Sequence, residues 1–252
     1  MLRRLRTSAR GPGEHGFTLV ETLVAMVTGL IVIGALFAIL EVTLHQSARI
    51  TDRAQATQMG RVTMTKIVNE LHSACIAPKF APVQEKSTAS TLIFRSGVGR
   101  EAVLEKGYQH EIIFTAAAGT TPGTLMDKTY QSNGGEWPNF TFPGTATSTV
   151  KVGEYIYQTN SETPVFKYYK YALTTENVSG KPVNTLVDLK IKGAEALTAA
   201  QANTVGAVQV TFTAGATDGN TALNRSVEMS NLVNFSFSVP TAETPIEAFP
   251  CE

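Results

Sequence analysis

Glu21 is the residue whose type and place most demand a chemical explanation. From Phe17 to Leu40 the chain carries no other charged side chain and no proline. At 1.5 Å rise per residue those roughly 24 residues give about 36 Å of helix, enough to cross the hydrocarbon core of a bilayer. A carboxylate at such a depth costs about 3 kcal/mol or more and calls for a cationic partner. The dipole of a helix N-terminus favours it in part. An ammonium supplied by another molecule would offset the remaining desolvation.

Chemistry of other kinds finds little to stand on. His15, His45, His72 and His110 are dispersed, and the chain has no His-x-x-x-His pair, no Cys-x-x-Cys and no Gly-x-Ser-x-Gly elbow to organise a metal or a nucleophile. Gly97-Val98-Gly99 lacks the third glycine of a dinucleotide loop and reads as a turn. Asp218-Gly219-Asn220 lacks the repeated acidic ligands of a calcium loop and reads as a hairpin turn. No catalytic residue, metal site or cofactor is expected, and the chain is expected not to be an enzyme.

The 252 residues are ordinary in composition and could hold one large domain or two small ones. Basic and acidic residues balance at 21 each, but Arg3, Arg4, Arg6 and Arg10 against Glu14 make the first 16 residues basic and leave the remainder slightly acidic. A basic nucleic-acid footprint is absent, so nucleic acid is not expected as a main partner.

The elements that position Glu21 follow from periodicity. No proline occurs between Phe17 and Pro78, so one helix is predicted from Phe17 to about Ala77, roughly 90 Å long. Beyond Glu41 its composition turns polar, yet Ile50, Ala54, Thr57, Met64, Ile67, Val68, Leu71 and Cys75 recur at helical spacing, with a polar break at Arg61. That stripe needs a surface to cover it. Gly29 and Gly34, inside the apolar run, mark either a softer segment or small-residue helix packing.

From about Thr91 the period becomes strand-like. Strands are predicted at Thr91–Arg95, Glu111–Thr115, Val150–Gln158, Val165–Leu173, Thr185–Ile191, Ala207–Thr213 and Arg225–Val239. Hairpins are predicted at Thr159–Pro164 and at Ala214–Asn224, which together suggest an antiparallel meander. Gln131–Ser148, rich in Gly, Pro and aromatic residues, reads as a long loop that either covers a sheet edge or presents a contact patch. The fold class is therefore α+β, a long N-terminal helix whose second half packs on an antiparallel β-sheet domain.

The segment GFTLVETLVAM, starting at Gly16, resembles the N-terminal signature of type IV pilins and of the pseudopilins of type II secretion. The resemblance implies that a prepilin peptidase cuts between Gly16 and Phe17, and that Phe17 is then N-methylated. It further implies that Glu21, by then the fifth residue, pairs with the α-amine of a neighbouring subunit. Two plainer readings compete: a signal peptide, whose hydrophobic region is usually shorter and free of glutamate, and a simple single-pass anchor. The four arginines before the span fit the positive-inside rule in every case.

RVTMTKIVNELHSA, residues 61–74, and NLVNFSF, residues 231–237, are similar to segments of minor pilins and minor pseudopilins, PilW-like or J-type. The implied domains are a leader at 1–16, a membrane or filament-core half-helix at 17–40, an amphipathic half-helix at 41–77 and a globular β domain at 78–252. The implied role is priming or capping the assembly of a pilus or secretion pseudopilus. Partners would be other pilin or pseudopilin subunits, the prepilin peptidase and inner-membrane lipid, with the C-terminal domain outside the cytoplasm. A pilus-tip binding module, an adhesin or DNA-uptake subunit, is the alternative. In such an oxidising setting Cys75 and Cys251 could bridge across about 175 residues or stay unpaired, and the related proteins usually place both cysteines near the C-terminus.

Overall fold

The computed structural model describes residues 16–74, 81–97, 107–119, 121–135, 140–174, 183–216 and 225–235. The expected fold class is observed: a long N-terminal helix, apolar in its first part, is followed by antiparallel β-sheets. Helix α1 runs from Leu19 to His72. It ends in a tight turn, where the Ser73 amide donates to both Asn69 O and Glu70 O and the Ser73 hydroxyl donates to Glu70 O at 2.7 Å. A serine that satisfies the last carbonyls in this way competes with further helix. Both Cys75 and Cys251 lie outside the described residues, as do the helical residues expected at 75–77.

The chain divides into two compact units, residues 1–48 and 49–252. In the first, the described residues of α1 are bare: Leu19, Val20, Leu30, Ile31 and Phe37 are all largely exposed. Its hydroxyls are nonetheless satisfied, since Thr28 Oγ1 donates to Val24 O at 2.9 Å and Thr22 Oγ1 to Thr18 O at 3.3 Å. A helix built this way presents hydrocarbon outward and keeps its polar groups internally paired, as an apolar solvent requires.

In the second unit, β1 (Thr91–Ser96), β2 (Tyr108–Thr115), β3 (Thr124–Gln131) and β4 (Ser148–Glu154) form sheet 1 as a sequential antiparallel meander. Sheet 2 contains β5 (Ile156–Tyr157), β6 (Phe166–Thr174), β7 (Val183–Asp188), β8 (Val205–Ala214) and β9 (Val227–Asn234). A one-turn helix α2 (Ala199–Ala202), capped by Thr198, precedes β8.

Sheet 2 departs from the expected meander. The Thr159–Pro164 turn does not join paired neighbours, because β5 and β6 both pair with β8, end to end along one edge. The ten residues of β8 are long enough to accept β6 at Val205–Val210, β5 at Thr213–Ala214, and β9 along the opposite edge. The β8–β9 hairpin is as expected, although its connection at 217–224 lies outside the described residues. The strand expected at Val150–Gln158 is broken at Tyr155, which adopts a positive φ of 57° and carries the chain from sheet 1 to sheet 2. The pivot is held by Ile156 N donating to Gly123 O and Gly215 N to Tyr155 O.

Strand β3 was not expected. Its sequence TLMDKTYQ turns Leu125 and Asp127 toward the core, so no apolar alternation marks it. The stripe of α1 is also shifted. Ile50 and Ala54 are exposed, and the covered face is instead Ala56, Gly60, Thr63, Met64, Ile67 and Leu71. Small residues decide this face. A Cβ on Gly60 would come within 2.9 Å of Met229 Cε and 3.0 Å of Ala214 Cβ, and one on Gly153 within 2.6 Å of Thr63 Oγ1. The long loop covers sheet 1, with the Phe140 ring against Gly107 and Phe142 beneath the Arg95 guanidinium at 5.1 Å. Trp137 lies outside the described residues.

The core joins both sheets to α1, with Ile67, Leu71, Phe94, Phe166, Phe212 and Phe235 all buried. Each such side chain contributes about 1.5–3 kcal/mol of hydrophobic stabilisation. Tyr168 ties the sheets together from the inside. Its hydroxyl donates toward Thr88 O at 2.8 Å and Thr91 O at 3.0 Å, and Phe166 N donates to Ala89 O.

Burial pushes the Tyr168 hydroxyl far above the usual tyrosine range. The native state therefore holds this proton at pH values where the unfolded chain, with its tyrosines near pKa 10, releases it. The stability this contributes is complete below about pH 10 and is lost as pH rises toward the native value. Denaturant unfolding should find Tyr168→Phe about 1–3 kcal/mol less stable at pH 8, with a shallower loss than wild type between pH 9 and 11. Equal alkaline losses would place the responsible group elsewhere. Separately, Gly123→Ala should lose about 1–3 kcal/mol, because the new Cβ collides with the Ile156 carbonyl oxygen at the pivot. Gly144→Ala, where no atom lies within 4 Å, is the control and should be near neutral by the same denaturant titration.

Candidate processing and assembly site

The start of α1 is built by Thr18. Its hydroxyl accepts a hydrogen bond from the Glu21 amide at 3.3 Å, and its carbonyl accepts from Thr22 N at 3.1 Å. Thr18-Leu19-Val20-Glu21 thus has the Thr-x-x-Glu spacing of a capping box, with the half donated by the Glu21 amide formed. Sequence reasoning passed over Thr18, although that spacing was there to be read. The cap fixes where the helix begins and so puts Glu21 in the first turn, where the helix dipole favours a carboxylate.

Gly16 and Phe17 precede the helix and are exposed, Phe17 at 83%. Nothing lies within 4 Å of a Cβ placed on Gly16, and its backbone is not left-handed. The fold therefore imposes no need for glycine there. Glu21 is also exposed, and it is the single polar side chain in 17–40 without an internal hydrogen-bond or ion-pair partner among the described residues. Gly29 and Gly34 similarly face open space, with nothing within 4 Å of an added Cβ. By length and composition, α1 is long and apolar enough to cross a membrane.

Of the sequence-predicted residues, Gly16, Phe17 and Glu21 fall within about one helical turn of one another in the chain. The cysteines fall outside the described residues. The described residues contain a second polar cluster, around His110, which the sequence did not single out because its members are scattered along the chain.

Residues 12–37 match the family model described as the prokaryotic N-terminal methylation motif. The chain is thus similar at its N-terminus to type IV pilin-like proteins, a structural rather than enzymatic group. No curated protein and no solved structure matches the chain.

Proposed function

We propose that this chain is a minor pilin or pseudopilin that primes or caps assembly of a type IV pilus or type II secretion pseudopilus. The observation that carries this reading is the isolation of Glu21: a helix that satisfies its own hydroxyls leaves one carboxylate without a partner, on a bare apolar surface. Cleavage after Gly16 would create an α-amine at Phe17 four residues from Glu21. Both the charge and the apolar face would then find partners on neighbouring subunits. Since no described residue restricts residue 16, a requirement for glycine there would come from the peptidase, which needs an unhindered extended backbone.

The chain would enter the inner membrane through α1 with its sheet domain outside the cytoplasm, and its partners would be pilin-like subunits, the prepilin peptidase and membrane lipid. A second reading, a pilus-tip binding module, is favoured by one feature. A cavity of about 680 Å³ at the seam of the two sheets is lined by Phe114 and Val165 and by the polar Ser90, Gln158, Glu162 and Lys192, and its size is within the range of ligand sites.

Mass spectrometry of the protein from cells with active prepilin peptidase should find a chain beginning at Phe17 with one added methyl group. Gly16→Val should leave the precursor uncut. A mature N-terminus at any other residue would overturn the assignment.

Glu21→Ala should be cleaved and should remain in the membrane, because the substitution removes a charge that costs free energy in lipid. Assembly should fail for want of the inter-subunit ion pair. Co-purification with other pilin-like subunits, compared with wild type, measures this. Equal recovery and normal filament numbers would remove Glu21 from the mechanism.

A further inference from the structure

The cavity of about 680 Å³ at the seam of the two sheets has a floor and walls of different chemistry. Its floor is apolar, formed by the buried Ala89, Phe114 and Val165. Its walls bring two opposite charges, Glu162 from the connection between β5 and β6 and Lys192 from the connection between β7 and α2. Neither side chain has a hydrogen-bond or ion-pair partner among the described residues, whereas Lys151 pairs with Glu154 and Arg225 with Asp52 elsewhere in the same unit.

Both charges stand on braced backbone. Asn160 Oδ1 accepts from Glu162 N at 3.0 Å and from Thr163 N at 2.6 Å, closing the turn that carries Glu162. On the other wall, Lys190 and Gly193 take positive φ angles of 56° and 55° on either side of Lys192, and Ile191 between them is buried. Lys190 N donates to Asp188 Oδ1 at 2.7 Å and Glu195 N to Lys192 O at 3.0 Å. Backbone fixed in this way loses little further freedom when a ligand arrives.

The charges narrow the ligand. An ion of either sign is attracted by one wall and repelled by the other, and a neutral molecule answers neither. A molecule bearing both an ammonium and a carboxylate matches the two walls at once. The polar groups beside them suit amides. Gln158 Nε2 donates to Thr163 O at 3.0 Å, which leaves Gln158 Oε1 to accept from an N–H, and the Ser90 hydroxyl can donate to a carbonyl. The volume falls within the range of small-ligand sites.

We propose that this cavity binds a short zwitterionic peptide, with its α-ammonium at Glu162, its α-carboxylate at Lys192 and its amides beside Gln158 and Ser90. The proposal rests on the second reading above, in which the sheet domain binds a ligand, and it names the class of that ligand. It does not depend on processing at Gly16. Because Glu162 and Lys192 are exposed, modest affinity is expected.

Ligand-observed NMR titration of the full chain in non-ionic detergent micelles tests the site, with tri-alanine as the probe. Saturable binding at millimolar peptide is expected, and N-acetyl-tri-alanine amide, which carries neither charge, should bind more weakly than tri-alanine. E162Q and K192Q should each weaken tri-alanine about fivefold, the size of one partly exposed ion pair. The losses should follow the matching end: E162Q should not alter the affinity of N-acetyl-tri-alanine, nor K192Q that of tri-alanine amide. K170Q removes a lysine of the same sheet that does not line the cavity, and it should bind as wild type. Since both charged side chains are exposed, the variants keep their fold, which circular dichroism checks. Equal affinity for the doubly blocked peptide, or wild-type affinity in both charge variants, would overturn the proposal. Tighter binding of methyl glucoside than of tri-alanine would also overturn it while leaving the binding-module reading in place. Saturation by neither probe at millimolar concentration would remove both.

Discussion

One carboxylate in a helix with no other charge over more than twenty residues is the constraint from which the N-terminal half of this molecule follows. The helix meets the conditions of an apolar surrounding everywhere else: Thr22 and Thr28 return their hydroxyls to carbonyls of the preceding turn, and the bulky side chains face outward. In water that surface would be a severe liability. In a hydrocarbon or helix-packed setting it costs nothing, and only Glu21 remains to be accommodated. Thr18 caps the helix so that the carboxylate occurs in the first turn, where the free amide groups and the dipole reduce its cost but do not remove it. A cation is still wanted, and no described residue of the chain offers one to it.

The second unit solves a different problem, the fixing of a helix against two sheets when its apolar stripe is weak. Small residues permit close approach at Gly60 and Gly153, and polar contacts bracket the contact face. Asp52 pairs with Arg225 at 3.2 Å near one end and Glu70 approaches His110 at the other. Apolar contacts alone tolerate sliding by a turn; paired polar groups five turns apart do not, since a slip would leave partly buried charges unmatched. The polar contacts therefore set the register, and the buried aromatic residues supply most of the stabilisation.

The parts of this architecture that are local in sequence were readable from it. A charge inside an apolar run, the absence of proline and the onset of β-branched alternation each leave a mark within a few residues, and they gave the helix, the fold class and most strands. What was not readable depends on partners far along the chain. The stripe of α1 was phased on Ile50 and Ala54 because side-chain hydropathy was the only guide, whereas the face is chosen by Gly60 and Thr63, whose value lies in what approaches them. Strand β3 was hidden because its inward residue Asp127 is polar and becomes acceptable only beside His110. The sheet order was misjudged for a similar reason, since Tyr155 is an ordinary tyrosine until Gly123 and Gly215 hold its neighbourhood in a left-handed turn.

The same dependence explains why the seam between the sheets rests on Tyr168. Sheet 1 is an open sequential meander and sheet 2 gathers around β8, so no strand ladder runs from one sheet into the other. Beside the Phe166 amide bond to Ala89 O, a link is made by a hydroxyl in a buried setting, where a hydrogen bond is worth more than in water; its loss deprives Thr88 O of this donor, while Thr91 O keeps the Thr88 amide. Phenylalanine would fill the same volume but could not donate to Thr88 O. The position therefore requires tyrosine for its oxygen, while the flanking Phe166 and Phe212 are required for bulk alone. A hydropathy pattern records both kinds of residue as one apolar strand.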